Sequence, residues 1–405
     1  MTKHRCITRR DFLRKGAAAA IAAPLIISSR AFGANDRFTL AGIGMGGQGR
    51  GDLGACLRFS EVQVVAVCDV AYSHCDTAKA MVDRHYNNTD CKAYSDFRDI
   101  IARDDIDAVL IGTPDHWHAI IAIEAMTHRK DIYCEKPETL TVREGRAMVE
   151  TARRYGRVFS GGSQRVWGDY NWFHRMVRGG RIGEVREAWV NVGGPSGPCY
   201  LPPVPTPDGV DWDLWLGPAP WRPFHPRLIR GGFRPYRDYS GGGMTDWGCH
   251  GFGGALFTCA LHETGPVKIF PPDGRDIERL TYVFANGVRI YHGGGWGGIL
   301  SFRGTQGEVP ARDGSTKQTP PDIYIPNYKG RGGIFGDFVH CVRARELPFR
   351  DIEIAHRTAT HCHLGNIAYW LKRPLRWDPD KEKIIGDPEA GRWLDRPKRE
   401  PWCLS

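Results

Sequence analysis

The stretch Phe38-Thr39-Leu40-Ala41-Gly42-Ile43-Gly44-Met45-Gly46-Gly47 decides the reading of the N-terminal half of this 405-residue chain. An apolar run passes directly into glycines at Gly42, Gly44 and Gly47, a G-x-G-x-x-G pattern where a strand gives way to a helix. Glycines at such a turn let the backbone approach a diphosphate, which rests on amide groups of the helix N-terminus. Alone the pattern is weak. The next apolar run, Val62 to Cys68, however, ends in Asp69, 22 residues past Gly47. A carboxylate there would accept hydrogen bonds from the adenosine ribose hydroxyls and repel a 2′-phosphate. The pattern therefore predicts NAD in preference to NADP, with Gly42, Gly44, Met45, Gly46, Gly47 and Asp69 at the cofactor.

Working outward, short apolar runs at Phe38 to Ile43, Val62 to Cys68, Ala108 to Gly112, Ile132 to Cys134 and Arg157 to Ser160 alternate with helical stretches. This is the pattern of βαβ units and a parallel sheet. Thr141-Val142-Arg143-Glu144 is a capping box that predicts a helix to about Tyr155, ended by Gly156. At the carboxyl ends of the third and fourth runs stand Thr113-Pro114-Asp115-His116-Trp117-His118 and Glu135-Lys136-Pro137. Ligands bind at that edge of an open α/β sheet, so a lysine there is placed to stabilise a developing alkoxide or polarise a carbonyl.

After Gly161 the texture changes to Gly/Pro-rich loops, notably Gly193 to Pro226, between segments that alternate like half-exposed strands. Arg186 to Val192, Leu280 to Phe284 and Val288 to His292 suggest an antiparallel sheet, the last two joined through the hairpin signal Asn286-Gly287. Helices are expected at about Gly333 to Arg345 and Ile354 to Lys372. The expected fold class is α/β: an N-terminal Rossmann dinucleotide-binding domain over residues 34–160, and a C-terminal α+β domain over residues 161–405 built on a mostly antiparallel open sheet.

With its Gly-rich turn, Glu135-Lys136-Pro137 and the downstream Asp246-Trp247-Gly248-Cys249-His250, the chain resembles the glucose-fructose oxidoreductase / inositol dehydrogenase (Gfo/Idh/MocA) family. Gly162-Ser163-Gln164-Arg165, the segment Asp211 to Pro218 and the segment His363 to Trp370 resemble its exported, twin-arginine subgroup. The resemblance implies a catalytic Lys136, Asp246 and His250 set between the domains. Asp246 and His250 are four apart, so on a helix they share a face. A neutral imidazole suits removal of a hydroxyl proton while hydride leaves the same carbon for nicotinamide, with Asp246 orienting the lysine or the histidine.

The resemblance also implies Gln164 near the nicotinamide end, and Thr113, Pro114, His116, His118, Glu135 and Lys136 along the cofactor. The implied substrate is a sugar, glycoside or cyclitol oxidised at a secondary hydroxyl. The implied assembly is a homo-oligomer through the outer face of the second sheet. Many related exported proteins have a second His and an Asp just past the motif, where this chain reads Gly251-Phe252-Gly253, so the neighbouring pocket is expected to differ. A redox-neutral glycosidase or lyase working through a 3-keto intermediate on bound NAD is the alternative reading. A non-catalytic NAD- or sugar-binding protein is the third.

The net charge of +9 sits largely in the leader, where residues 1–33 hold seven Lys or Arg against Asp11 alone. The remainder is near neutrality and has no block of basic residues interleaved with aromatics, which argues against a nucleic-acid partner. In the leader Arg9-Arg10 precede Phe12-Leu13, an apolar stretch from Gly16 to Ile27 and small residues from Ala31 to Ala34. That is the organisation of a signal read by the Tat translocon, and it predicts an exported, periplasmic protein cleaved near Gly33 or Ala34. With no free NAD pool there, a tightly held cofactor is expected. Eleven of the 12 cysteines follow the leader, an odd number without a Cys-x-x-Cys pair, which fits reduced thiols. His356, His361 and His363 invite a metal reading, but helical spacing turns His361 away from the other two, and no metal is expected. Trp167, Tyr170 and Trp296 are candidate sugar-stacking aromatics.

Overall fold

The computed structural model describes residues 37–296, 298–310 and 318–404. The expected export signal lies outside the described residues. Six short strands, β1 (Phe38–Ile43), β2 (Val62–Cys68), β3 (Lys92–Tyr94), β4 (Ala108–Ile111), β5 (Asp131–Cys134) and β6 (Phe159–Gly161), form a parallel sheet in the order β3-β2-β1-β4-β5-β6. This is the doubly wound dinucleotide-binding order, with the chain reversing direction between β1 and β4. Register sets what the edge displays. Ile43 pairs with Cys68 and Ile111, Ile111 with Cys134, and Cys134 with Gly161. Gly44, Asp69, Gly112, Glu135 and Gly162 therefore leave the sheet along one line. A slip of one residue would turn every buried side chain to the opposite face.

β3 was not among the expected strands. It is an edge strand whose Lys92 and Ala93 are exposed, so it carries no apolar run to read. The capping box forms as expected: Thr141 Oγ1 accepts from the Glu144 amide at 3.2 Å, and Glu144 Oε2 accepts from the Thr141 amide at 3.1 Å.

The second sheet has eight strands, in the order β12-β11-β7-β10-β9-β8-β13-β14. They are β7 (Val185–Val190), β8 (Lys268–Phe270), β9 (Thr281–Val283), β10 (Arg289–His292), β11 (Leu300–Gly304), β12 (Glu308–Val309), β13 (Leu375–Asp378) and β14 (Lys383–Ile384). β9 and β10 form the hairpin expected at Asn286-Gly287, where Gly287 takes φ 84°. β7 and β10, expected to be antiparallel, run parallel, and the other neighbours are antiparallel. The helix Gly248–Thr258 lies on this sheet, sharing a core of Ala188, Val190, Phe252 and Leu256.

The chain beyond residue 160 contributes to the core of the first sheet. The helix Gly333–Ala344, assigned from sequence to the second domain, returns to the first sheet: Ile334, Phe338 and Val342 pack with Phe38, Leu40 and Tyr133. An amphipathic period specifies that a helix buries one face and not which sheet it buries it against. The helix Ile352–Leu371 in turn packs on Val142–Tyr155, where a Cβ on Gly145 would stand 2.1 Å from His356 Nδ1.

The three C-terminal histidines point to separate partners. His356 Nε2 meets Glu382 Oε1 at 2.7 Å, His363 Nε2 meets the Thr139 carbonyl at 3.1 Å, and His361 stacks on Tyr282 with ring centres 3.7 Å apart. Neither ring nitrogen of His361 has a hydrogen-bond partner among the described residues. Burial pushes its pKa down to about 3 from an ordinary 6.5. The folded state therefore binds fewer protons than the unfolded chain between those values, and stability present above pH 6.5 is lost as pH falls towards 3. His361→Phe removes that loss, so the stability of the variant relative to the parent should rise by up to about 1.4 kcal/mol per pH unit below 6.5, measured by urea unfolding. A gap that stays constant with pH would refute the assignment.

Candidate active site

The Gly-rich turn uses a register two residues later than the one expected from sequence. Gly44 takes φ +81°, and a Cβ on it would lie 2.4 Å from the Thr113 amide nitrogen. A Cβ on Gly49 would lie 2.0 Å from the Gly44 carbonyl oxygen. The tight turn and the close packing of helix on strand thus fall on Gly44 and Gly49, so the working motif is Gly44-Met45-Gly46-Gly47-Gln48-Gly49. Gly42 lies within β1 beneath the Met45 side chain and does not line the cleft. The string contains two overlapping matches, and spacing alone does not choose between them.

Around this turn is a cavity of about 560 Å³ whose lining includes Gly44, Gly46, Gly47, Asp69, Thr113 and Pro114. A Cβ on Gly46 or Gly47 would meet nothing within 4 Å, so side chains there would project into free space at the start of the helix Gly47–Cys56. Asp69 Oδ2 accepts from the Met45 amide at 2.7 Å and Oδ1 from the Ala71 amide at 2.8 Å. The carboxylate braces the turn, His74 Nδ1 stands 3.4 Å from Oδ2, and Oδ1 keeps a lone pair for a further donor. Bare glycine backbone, a helix N-terminus and an acid at the end of β2 fit a dinucleotide.

Seven of the expected cofactor residues stand apart from the cavity lining: Gly42, Met45, His116, His118, Glu135, Lys136 and Gln164. His116 is buried with Nε2 on the Trp215 carbonyl at 2.9 Å, and His118 sits between the Pro137 and Thr113 carbonyls, 2.8 Å from each. Both are pushed down to about 4 by burial. Glu135 turns away from the cavity, towards Gly162, where a Cβ would come within 2.6 Å of Oε1. It lies against Asp52 of the first helix, and burial raises both carboxyls. A strand end fixes where the backbone emerges, whereas the side chain can still turn inward. Gln164 also lies outside the lining. It caps the short helix Arg165–Gly168, its carbonyl accepts from Tyr328 Oη at 3.0 Å, and its Oε1 is without a partner among the described residues.

Lys136, Asp246 and His250 are brought together. Lys136 follows β5, and its Nζ donates to Asp246 Oδ1 at 2.6 Å. Asp246 ends the short helix Gly243–Asp246, Trp247 keeps right-handed helical angles, and His250 follows in Gly248–Thr258. Arg234 Nε donates to the same Oδ1 at 3.1 Å. Burial would raise Asp246, but the Lys136 and Arg234 cations outweigh it and hold the carboxyl below its ordinary value. His250 is pushed down to about 3 by burial, then by Lys136 and Arg165, and its Nδ1 has no partner among the described residues.

Sequence reasoning missed Arg234, Arg165 and Trp247. Trp247 lies inside the Asp-x-x-x-His motif and is 41% exposed. The Arg165 guanidinium stands over its ring at 4.9 Å and pairs with Asp169. No local pattern marks Arg234, because only the fold carries its loop to Asp246. The aromatics singled out from sequence lie elsewhere: Tyr170 is in the core, Trp167 stacks on His174, and Trp296 sits edge-on to Trp189 of the second sheet. Gly251 and Gly253, where relatives were expected to differ, face Val190 and Val166 across gaps that a Cβ would close to 2.8 and 3.0 Å.

A parallel sheet in this order, a glycine cradle and a Lys/Asp/His cluster at its carboxyl edge define a nucleotide-dependent oxidoreductase architecture. Family models agree. Residues 38–163 match the Gfo/Idh/MocA "oxidoreductase family, NAD-binding Rossmann fold", and residues 189–404 match its "C-terminal alpha/beta domain". The chain belongs to the Gfo/Idh/MocA oxidoreductase family. It is 36% identical over 116 residues to a glycosyl hydrolase family 109 protein from Shewanella sp. (strain W3-18-1), a stretch covering 28% of this chain and 25% of that relative. In structure it is similar to myo-inositol 2-dehydrogenase from Lactobacillus plantarum, with TM-score 0.59 and 18% identity over 84% of this chain and 99% of that one. It is also similar to a 3-ketoreductase from Actinomadura kijaniata in complex with NADP and TDP-benzene, with TM-score 0.53 and 17% identity over 80% and 95% of the two chains.

Because a side chain at Gly46 would enter the cavity without touching protein, Gly46→Val should leave the melting temperature of the ligand-free protein unchanged. It should weaken dinucleotide binding by at least about tenfold by titration calorimetry. Unimpaired binding would place the dinucleotide elsewhere.

Proposed function

We propose that this chain oxidises a secondary hydroxyl of a sugar, glycoside or cyclitol, with NAD held in the Gly-rich cavity. The observation that carries this reading is the bond from Lys136 to Asp246 beside His250, at the sheet edge next to that cavity. When bound, NAD supplies the hydride acceptor. Lys136, held by Asp246, donates to the substrate oxygen and stabilises the negative charge left on it as the hydroxyl proton moves to His250. His250 is neutral and accepts the hydroxyl proton. A base whose pKa is pushed to about 3 is weak, but the hydroxyl grows steadily more acidic as hydride departs, so proton and hydride leave together. Asp69 supports NAD over NADP, since a 2′-phosphate would meet its carboxylate.

The names of the Shewanella relatives favour a second reading, glycosidic cleavage on bound NAD. Oxidation at C3 of the sugar would acidify the C2 proton. Loss of that proton with the C1 substituent, addition of water and return of the hydride to C3 would complete a cycle with no net redox change.

Denaturing the folded protein before and after exposure to a panel of glycosides, and identifying the released dinucleotide, tests both. Stoichiometric NAD that becomes reduced supports oxidation. Cleavage without net reduction, with solvent deuterium at C2, supports the second reading. No dinucleotide, released or bound on addition, overturns both. Lys136→Met should lower kcat by roughly a hundred- to a thousandfold while leaving NAD content unchanged.

A further inference from the structure

The dinucleotide cavity is not built by the first sheet alone. Leu214, Trp215, Leu228, Ile229, Arg230 and Arg234 line it from the other side, and all belong to the Gly/Pro-rich region between β7 and the Asp246 helix. This segment is fastened at the rim beside Asp69. Val210 forms an antiparallel bridge with Ala71, the Asp211 amide donates to the Val70 carbonyl at 2.9 Å, and the Tyr72 amide donates to the Gly209 carbonyl at 3.0 Å. It is fastened again across the cleft, where Trp117 Nε1 donates to the Leu214 and Trp215 carbonyls at 3.1 and 3.0 Å. From outside, Arg399 donates to Asp213 Oδ1 at 2.6 Å and to the Gly217 carbonyl at 2.8 Å.

Charge gives this wall a purpose. A dinucleotide brings two phosphate charges. Arg50, on the helix that follows the Gly-rich turn, does not line the cavity, and its Nη1 donates to the Met45 carbonyl at 2.6 Å. Among the described residues lining the cavity, Arg230 and Arg234 are the only Lys or Arg. Arg230 is exposed and in no ion pair among the described residues. Arg234 spends Nε on Asp246 and Nη1 on the Gly231 carbonyl, which leaves Nη2. Charge-assisted bonds from guanidinium to phosphate are among the stronger polar contacts available to a protein.

We propose that the second domain supplies the cationic half of the dinucleotide site: Arg230 and Arg234, carried over the Gly-rich turn by the fastened segment Gly209–Arg234, hold the diphosphate and retain the cofactor. The proposal rests on the reading above only in taking the ligand to be a dinucleotide. Arg234 then touches both the cofactor cavity and the Asp246 that holds Lys136, so cofactor occupancy and lysine position share one side chain.

The test is titration of the full ligand-free chain with NAD and NADP, together with the rate at which bound NAD exchanges for isotope-labelled NAD. Arg230→Ala should weaken both dinucleotides by roughly ten- to a hundredfold and Arg230→Lys by much less. Arg399→Ala, outside the cavity, should speed exchange by about tenfold with an unchanged melting temperature of the ligand-free form. Equal affinity and exchange in Arg230→Ala and the parent would overturn the proposal. So would a loss confined to NADP, which would put Arg230 at a ribose 2′-phosphate. A parent protein that binds no dinucleotide would overturn the underlying reading, and that result appears before any variant is compared.

Discussion

The bond between the Lys136 ammonium and the Asp246 carboxylate joins the carboxyl edge of the parallel sheet to the helix that crosses the mixed sheet. Both groups are largely removed from water, and a half-buried charge that loses its partner is costly, so the two sheets must meet in a single arrangement. Much of the surrounding sequence serves that arrangement. Glycines at 193, 242 and 243 let two backbones cross where a Cβ would come within 3 Å of its neighbours, and that crossing delivers Asp246 to Lys136. Arg234 shares the carboxylate from a third direction, which ties the loop over the cofactor cavity to the same pair.

The parallel sheet was legible in the sequence because each central strand is buried on both faces and reads as a continuous apolar run. Its edge strand β3 was not, since a half-exposed three-residue strand leaves no such run. Of the second sheet, the strands around Asn286-Gly287 could be read from their turn. β8 and β11 to β14 could not, because they are short and lie among loops. Lys136, Asp246 and His250 could be named from motifs. Glu135, His116 and His118 sit in equally conspicuous motifs, yet their side chains fold inward to satisfy buried backbone or to pack against another acid. A motif identifies which backbone reaches the site. Which side chains follow depends on burial and on competing partners that lie far away in sequence.

Burial also sets the chemical state of the interior. Histidines at 116, 118, 174, 250 and 361 are all pushed to about 4 or below by loss of water. Asp115, at the start of the helix under the cavity, is raised to about 7 by the same cause. Loss of water thus favours the uncharged form of these five histidines and of Asp115.

The helix that carries His250 has glycine at 251, 253 and 254, and the side chains of Val190, Val166 and Tyr170 occupy the space those positions leave open. A helix pressed this closely against its neighbours has no room to exchange residues on its inner side. New ligand preferences would therefore have to arise from the cavity-lining loop around Arg230, whose side chain is exposed. The helix is in effect a fixed die, and the loop is the part that can be recast.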